Sequence, residues 1–289
     1  MKTLLLDVGG TFIKCSDGRE IPIRSDGSRE EISSSFAEAV GAFCNEDSCV
    51  NDAETASGNR QRDCEIAVAI PGPFDYERGI FLMKHKFPAV YGMSFREVAG
   101  VPSCVRLLFT HDVNVMLAGE MFYGNGRGYS RVALVALGTG LGFAMSIDGR
   151  ILKKATGSPL VSIFGLPYRD GILEDYASKR GFLGTFKALG GQGAATVKDI
   201  AEFASGGDKA ALETFRSIGS TIARTISPIL KEYGIECLLF GGQISRSFRF
   251  LEPALREELS GVESLVDISQ VSNFDNATFN GLRALLRQE

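Results

Sequence analysis

No stretch of about 18 apolar residues free of charge occurs in the chain, so no membrane-spanning helix is expected. No long run of Lys or Arg offsets the formal charge of -4, which argues against a general nucleic-acid binder. The first apolar strand begins at residue 3, with no room for a signal peptide before it, and a cytoplasmic protein is the simplest expectation. Cysteine is sparse and scattered, at Cys15, Cys44, Cys49, Cys64, Cys104 and Cys237. Cys44 and Cys49 lack the second ligand pair that a zinc site requires, and all six read as reduced, small apolar fillers. Hydrophobic content of 44% and charged content of 23% are those of a globular protein, and 289 residues suffice for one or two domains with a sizeable core. Glycine, by contrast, is abundant: 34 residues against a usual share of roughly 7%, which suits a fold rich in tight turns.

Those glycines gather where strands end. Leu4–Leu6 runs into Asp7-Val8-Gly9-Gly10-Thr11 and then a second short strand. A Gly-Gly pair lets backbone N–H groups approach a bound group with no Cβ in the way, an acid beside it can hold a metal ion's water shell, and Thr or Lys can reach phosphate oxygens. The same turn is also compatible with a plain β-hairpin. A second device follows the apolar run Arg131–Leu137, at Gly138-Thr139-Gly140-Leu141-Gly142, and its return strand closes on the hairpin signal Asp148-Gly149. A third pair, Gly241-Gly242, lies between the strand-like Ile235–Phe240 and the helix-compatible Gln243–Phe250. Three such turns suggest loops serving one phosphate-bearing ligand. None fits the P-loop pattern, and the second leads into a strand rather than the helix of a dinucleotide fingerprint.

Further strands are expected at 65–70 and 105–110, and a helix around 29–44, while the polar segment 45–63 reads as an exposed loop. Helix 208–233 is the clearest: Leu212, Phe215, Ile218, Ile222, Ile226, Ile229 and Tyr233 recur at three- and four-residue steps, with Gly234 suited to C′. A C-terminal helix is expected over Asp275–Arg287, with Asp275 as its N-cap. Strands in both hairpins and βα units indicate an α/β chain with mixed sheets.

The arrangement resembles the ROK-type sugar kinases, within the actin-like, hexokinase and Hsp70 ATPase fold. Asp7-Val8-Gly9-Gly10-Thr11 matches that family's first phosphate motif, Leu137–Gly142 its second, and Phe240-Gly241-Gly242-Gln243-Ile244-Ser245 its adenosine motif. Ala69-Ile70-Pro71-Gly72-Pro73, followed by Gly79-Ile80, resembles its sugar loop, and Asp112–Glu120 the stretch carrying its catalytic Asp. The resemblance implies two actin-like (ribonuclease H-like) α/β domains with mixed sheets flanked by helices and a cleft between them. Residues 1–112 would form the first and 113–289 the second, with the C-terminal helix, about 275–288, able to pack back on the first. It implies an ATP-dependent kinase with Mg²⁺, a hexose or related sugar as substrate, no nucleic-acid or membrane partner, and compatibility with a homodimer. A donor other than ATP, polyphosphate, would suit the same turns.

Under that resemblance Asp112 is the general base, at the end of a strand where α/β folds bind ligands, although an N-cap role for helix 113–123 is also open. Asp7 would hold Mg²⁺ through water. Gly9, Gly10, Thr11, Gly138, Thr139 and Gly140 would line the phosphates, with Lys14 adding charge or remaining solvated. Gly241 and Gly242 would lie against adenosine, and Gly72 would belong to the sugar loop. The sugar end departs from the family. His111 stands where an Asn is usual, either as a hydroxyl ligand or as a structural partner of Asp112. Gly157–Val161 lacks the family's Glu and His, and nothing from Gly157 to Glu174 is Cys or His, so the usual zinc cluster is not expected. Glu174 remains as a sugar-ligand candidate, and His85 or Lys86 could replace the Asn missing after the Pro-Gly-Pro loop. Such losses shift specificity, leaving glucose itself open. A non-catalytic sugar- or nucleotide-binding sensor is the alternative. Its DNA-binding version would need a helix-turn-helix ahead of the first strand, which the sequence does not offer.

Overall fold

The computed structural model describes residues 2–41, 43–44 and 64–287, so the polar segment 45–63 lies outside the described residues. The chain divides into two compact units. The first comprises Met1–Val115, Lys153–Ser158 and Leu282–Glu289, and the second Met116–Leu152 and Pro159–Gly281.

Unit 1 holds β1 (Lys2–Val8), β2 (Phe12–Cys15), β3 (Glu20–Pro22), α1 (Arg29–Gly41), β4 (Cys64–Ile70), β5 (Phe74–Asp75), β6 (Ile80–Phe81), α2 (Phe95–Ala99) and β7 (Arg106–His111). Its main sheet has the order β3-β2-β1-β4-β7. The first three strands meander antiparallel, whereas β4 and β7 run parallel to β1. The unbroken apolar run of β1 suits a strand covered on both faces, and β4 is buried along its whole length. Phe36 of α1 meets Phe81, Phe87 and Phe95 at ring distances of 5.8, 5.8 and 5.1 Å, which anchors the helix over the sheet. Helix α3 (Asp112–Tyr123) starts in this unit and continues into the next.

Unit 2 contains β8 (Arg131–Leu137), β9 (Leu141–Ile147), β10 (Arg150–Ile151), the hairpin β11 (Pro167–Tyr168) and β12 (Gly171–Ile172), α4 (Leu173–Ala177), α5 (Lys179–Ala188), α6 (Val197–Ser205), α7 (Lys209–Tyr233), β13 (Cys237–Gly241), α8 (Phe248–Leu259), β14 (Asp267–Gln270) and most of α9 (Ala277–Leu286). Its sheet, β10-β9-β8-β13-β14, repeats the pattern of unit 1: an antiparallel meander followed by two parallel strands. The Asp148-Gly149 turn takes positive φ at both residues, 50° and 78°, as a type I′ hairpin demands. Helix α7 is capped by the Asp208 carboxylate, which accepts the Ala211 N–H at 2.8 Å, and ends on Gly234 in the left-handed region.

Several local expectations need correction. Leu212 is exposed, because the buried stripe of α7 runs instead through Ala211, Phe215, Ile218 and Ile222. Residues 243–247 form a 3₁₀ turn, with α8 starting only at Phe248. Helix α9 starts at Ala277, and the Asp275 carboxylate pairs with Arg246 rather than capping it. Cys15, Cys44 and Cys237 are free thiols, but Cys104, exposed on the loop before β7, is disulfide-bonded.

Candidate active site

In unit 1 the first glycine turn closes β1 onto β2. Gly9 N–H donates to Phe12 O at 2.9 Å, and a Cβ on Gly9 would lie 3.0 Å from that same oxygen, a tight contact that favours glycine in this turn. Asp7, Lys14 and Glu20 follow one another across β1, β2 and β3, on one face of the sheet. The Lys14 ammonium lies 3.8 Å from the Glu20 carboxylate at the surface. A strap crosses beside the turn: Ser25 N–H donates to Gly10 O at 3.3 Å, and Phe87 N–H to Ser25 O at 2.6 Å. Phe87 itself is wholly buried and left-handed, with φ 53°. These contacts bring Lys86 alongside the turn, its Cε 3.9 Å from where a Gly10 Cβ would stand. His85, its neighbour, is exposed.

Strand β7 ends at His111, and Asp112 opens α3. Asp112 Oδ1 accepts the Val113 N–H at 2.7 Å and lies 2.8 Å from His111 Nδ1, while the Asp112 side chain keeps 45% of its surface open. Burial works to raise the Asp112 carboxyl, but the charge and hydrogen bond of His111, the Val113 N–H and the charge of Lys86 together hold it below the ordinary carboxylate value. The far edge of the His111 ring faces the sugar-loop residues: a Cβ on Gly72 would lie 3.5 Å from His111 Nε2 and 3.3 Å from the Tyr76 hydroxyl. Tyr76 donates to Ile70 O at 3.0 Å, and burial, with Asp112 nearby, pushes its phenol far up, so it stays neutral. Tyr76 and Asn114 also fix the returning segment 153–158. Tyr76 N–H donates to Thr156 O at 3.2 Å, and Asn114 Nδ2 to Gly157 O at 3.1 Å.

In unit 2 the second and third glycine turns lie against one another. Gly241 pairs with Ala136, and a Cβ on Gly242, where φ is 80°, would collide with the carbonyl oxygen of Leu137. The buried Ser245 hydroxyl donates to Gly241 O at 2.6 Å and closes the third turn. Nothing stands within 4 Å of where a Gly138 Cβ would lie, leaving that side of the second turn open. Glu174 sits beneath the second turn. Its Oε2 accepts the Leu141 N–H at 2.9 Å, its Oε1 lies 3.3 Å from Arg180, and a Cβ on Gly140 would come within 2.8 Å of it. Lys179 N–H donates to Gly138 O at 3.0 Å, so the start of α5 is fastened to the same turn. The hairpin that precedes Glu174 is held by rings: Tyr168 and Tyr176 meet at 5.0 Å, with the Arg169 guanidinium 5.5 and 5.4 Å from their centres.

Of the residues expected from sequence, unit 1 brings together the first glycine turn, Gly72, His111 and Asp112, whereas unit 2 brings together Gly138–Gly140, Glu174, Gly241 and Gly242. Lys86, Ser25 and Tyr76 join those of unit 1 as supports or neighbours. Glu120 is 2% exposed, and its carboxylate accepts from Asn125 N at 3.0 Å, Ser272 N at 3.0 Å and Ser272 Oγ at 2.9 Å, which fixes the far end of α3.

Among the described residues no helix is long and apolar enough to cross a membrane. The chain is 26% identical over 216 residues, 67% of its length and 68% of the relative's, to a glucokinase of Thermotoga maritima. It is 25% identical, over 69% of its length, to the DNA-binding transcriptional repressor Mlc of Escherichia coli, of which it spans 53%. A ROK family glucokinase from Streptomyces griseus, solved in complex with glucose and AMPPNP, superposes with a TM-score of 0.73 over 99% of both chains at 20% identity. The two mixed sheets flanked by helices are those of the actin-like ATPase fold. The ROK family model matches residues 6–159 and 167–288. The chain belongs to the ROK family.

Proposed function

We propose that this protein is an ATP-dependent sugar kinase in which Asp112 accepts the proton of the sugar hydroxyl. One observation carries the reading: a carboxylate held ionised by His111 and the Val113 N–H stands at the C-terminal end of β7, beside Gly72 and Tyr76 of the sugar loop. An ionised base there can take a hydroxyl proton as the oxygen becomes nucleophilic. His111, its Nδ1 engaged with Asp112, keeps Nε2 for a sugar hydroxyl on the Gly72 side. Similarity to a glucokinase supports the substrate class.

The residues fit a nucleotide and its metal. Glycine turns that leave a Cβ little room at Gly9, exclude one at Gly242 and leave open space at Gly138 present backbone N–H groups suited to phosphate and to the flat face of a base. ATP would supply the phosphoryl group, with Mg²⁺ neutralising phosphate charge. In unit 1, Gly9, Gly10 and Thr11 would bind phosphate oxygens, and Asp7 would hold Mg²⁺ through its water shell. In unit 2, Gly138, Thr139 and Gly140 would bind phosphate, and Gly241 and Gly242 adenosine. Glu174 holds the second turn through Leu141 and remains a sugar-ligand candidate in this reading. Lys14, paired with Glu20, adds charge beside Asp7.

Likeness to the repressor Mlc supports a second reading, a non-catalytic protein that binds a sugar or nucleotide. Incubation with ATP and Mg²⁺ against a panel of hexoses, amino sugars and N-acylated sugars, with products read by mass, separates the two. One phosphorylated product supports the kinase; ATP binding with no product on any sugar supports the sensor.

A further inference from the structure

Lys86 lies beside the first glycine turn of unit 1. Three anchors fix its backbone there. Phe87 is wholly buried among Phe36 and Phe81 and held left-handed, its N–H is bonded to Ser25 O at 2.6 Å, and Ser25 N–H is bonded in turn to Gly10 O. The Lys86 stem therefore runs along the first glycine turn, with Cε 3.9 Å from the Cβ position of Gly10. Its charge also acts to lower the Asp112 carboxyl. Lys14, the cation next to the turn in sequence, is instead 3.8 Å from Glu20 on the outer strands.

On the kinase reading above, we propose that Lys86 is a catalytic residue that binds the γ-phosphate of ATP and stabilises the phosphoryl group as it moves to the sugar. In that step the bond from the γ-phosphorus to its bridging oxygen breaks as the bond to the sugar oxygen forms. The hydroxyl proton passes to Asp112 and ADP leaves. Lys86 donates hydrogen bonds to the non-bridging oxygens and exchanges no proton. A cation set along the phosphate turn, with its charge acting on the base, lies where charge develops as the phosphoryl group moves, and charge stabilisation is the largest part of phosphoryl-transfer catalysis.

The test uses the full chain with Lys86→Met and Lys86→Arg, each first checked for a wild-type melting temperature. Calorimetric titration with Mg·ATP and Mg·ADP is the first readout. Lys86→Met is expected to weaken ATP by about tenfold while leaving ADP within about twofold, since only ATP carries the contacted phosphate. Lys86→Arg should restore most of the difference. The second readout is turnover on the sugar found by the panel. For Lys86→Met, kcat should fall by about 10²–10³-fold with the sugar KM within about threefold. Equal loss or no loss for ATP and ADP overturns the proposal, as does a raised sugar KM with kcat preserved, which would make Lys86 a sugar ligand. A wild type that turns over no sugar defeats the kinase reading, and the ATP-against-ADP difference still decides whether Lys86 binds the γ-phosphate.

Discussion

His111 Nδ1 lies 2.8 Å from Asp112 Oδ1, and this contact sets the charge of the proposed base. Burial alone would raise the carboxyl; His111, the Val113 N–H and Lys86 reverse that and lower it. A carboxyl lowered by folding contributes stability above its unfolded value and loses it as pH falls through the folded value, so this contact strengthens the fold at neutral pH and not in strong acid. The same sign governs activity. Asp112 should contribute no acid limb to kcat/KM between about pH 5 and 8, and His111→Ala should move its limb to higher pH. A limb that stays in place in the variant would separate His111 from the base.

Gly242→Ala should damage unit 2 at the junction of its two turns. A Cβ there meets the Leu137 carbonyl, and φ of 80° is strained for alanine. A destabilisation of about 1–3 kcal/mol is expected from the backbone conformation alone, with nucleotide affinity reduced as well. Thermal melting and an ATP titration read the two effects, and wild-type values in both would remove this glycine from the account.

Glu120→Ala should be among the most destabilising single changes. It leaves the Asn125 N–H, the Ser272 N–H and the Ser272 hydroxyl without their acceptor in a site 2% exposed. About 3 kcal/mol or more is expected, measured by urea unfolding. A loss below about 1 kcal/mol would mean that the site relaxes around the change.

Thiol labelling should be slow in the native state. Burial, with the charges of Asp267, Glu120 and Glu236 added, pushes the Cys237 thiol up to about 12, and burial pushes Cys15 up to about 11. Both should react with a thiol reagent at neutral pH only after denaturation, and peptide mapping after brief native labelling checks this.

The turns were legible in the sequence because an apolar run ending in paired glycines leaves few conformations. All three fall at strand ends, with a tight contact for a Cβ at Gly9 and a positive φ at Gly242. The repeated sheet pattern followed from hairpins leading each half. Lys86 was not legible as a phosphate neighbour. Its position depends on Phe87 being buried at positive φ and on a strap through Ser25, and neither leaves a local mark. The part Glu174 plays was hidden for the same reason. Its acceptor role joins it to Leu141, 33 residues away, a pairing set by tertiary packing alone. The Asp112 carboxylate accepts the N–H of the adjacent Val113, not an N–H two or three residues on as an N-cap does, and keeps an open side for the proposed base.

The most direct test compares wild type and Asp112→Asn for phosphate transfer from Mg·ATP to the sugar turned over best. The account predicts that kcat falls by about 10²–10⁴-fold while ATP affinity and the melting temperature stay near wild type, because Asn keeps the shape and loses the base. Turnover within about threefold of wild type would contradict Asp112 as the base.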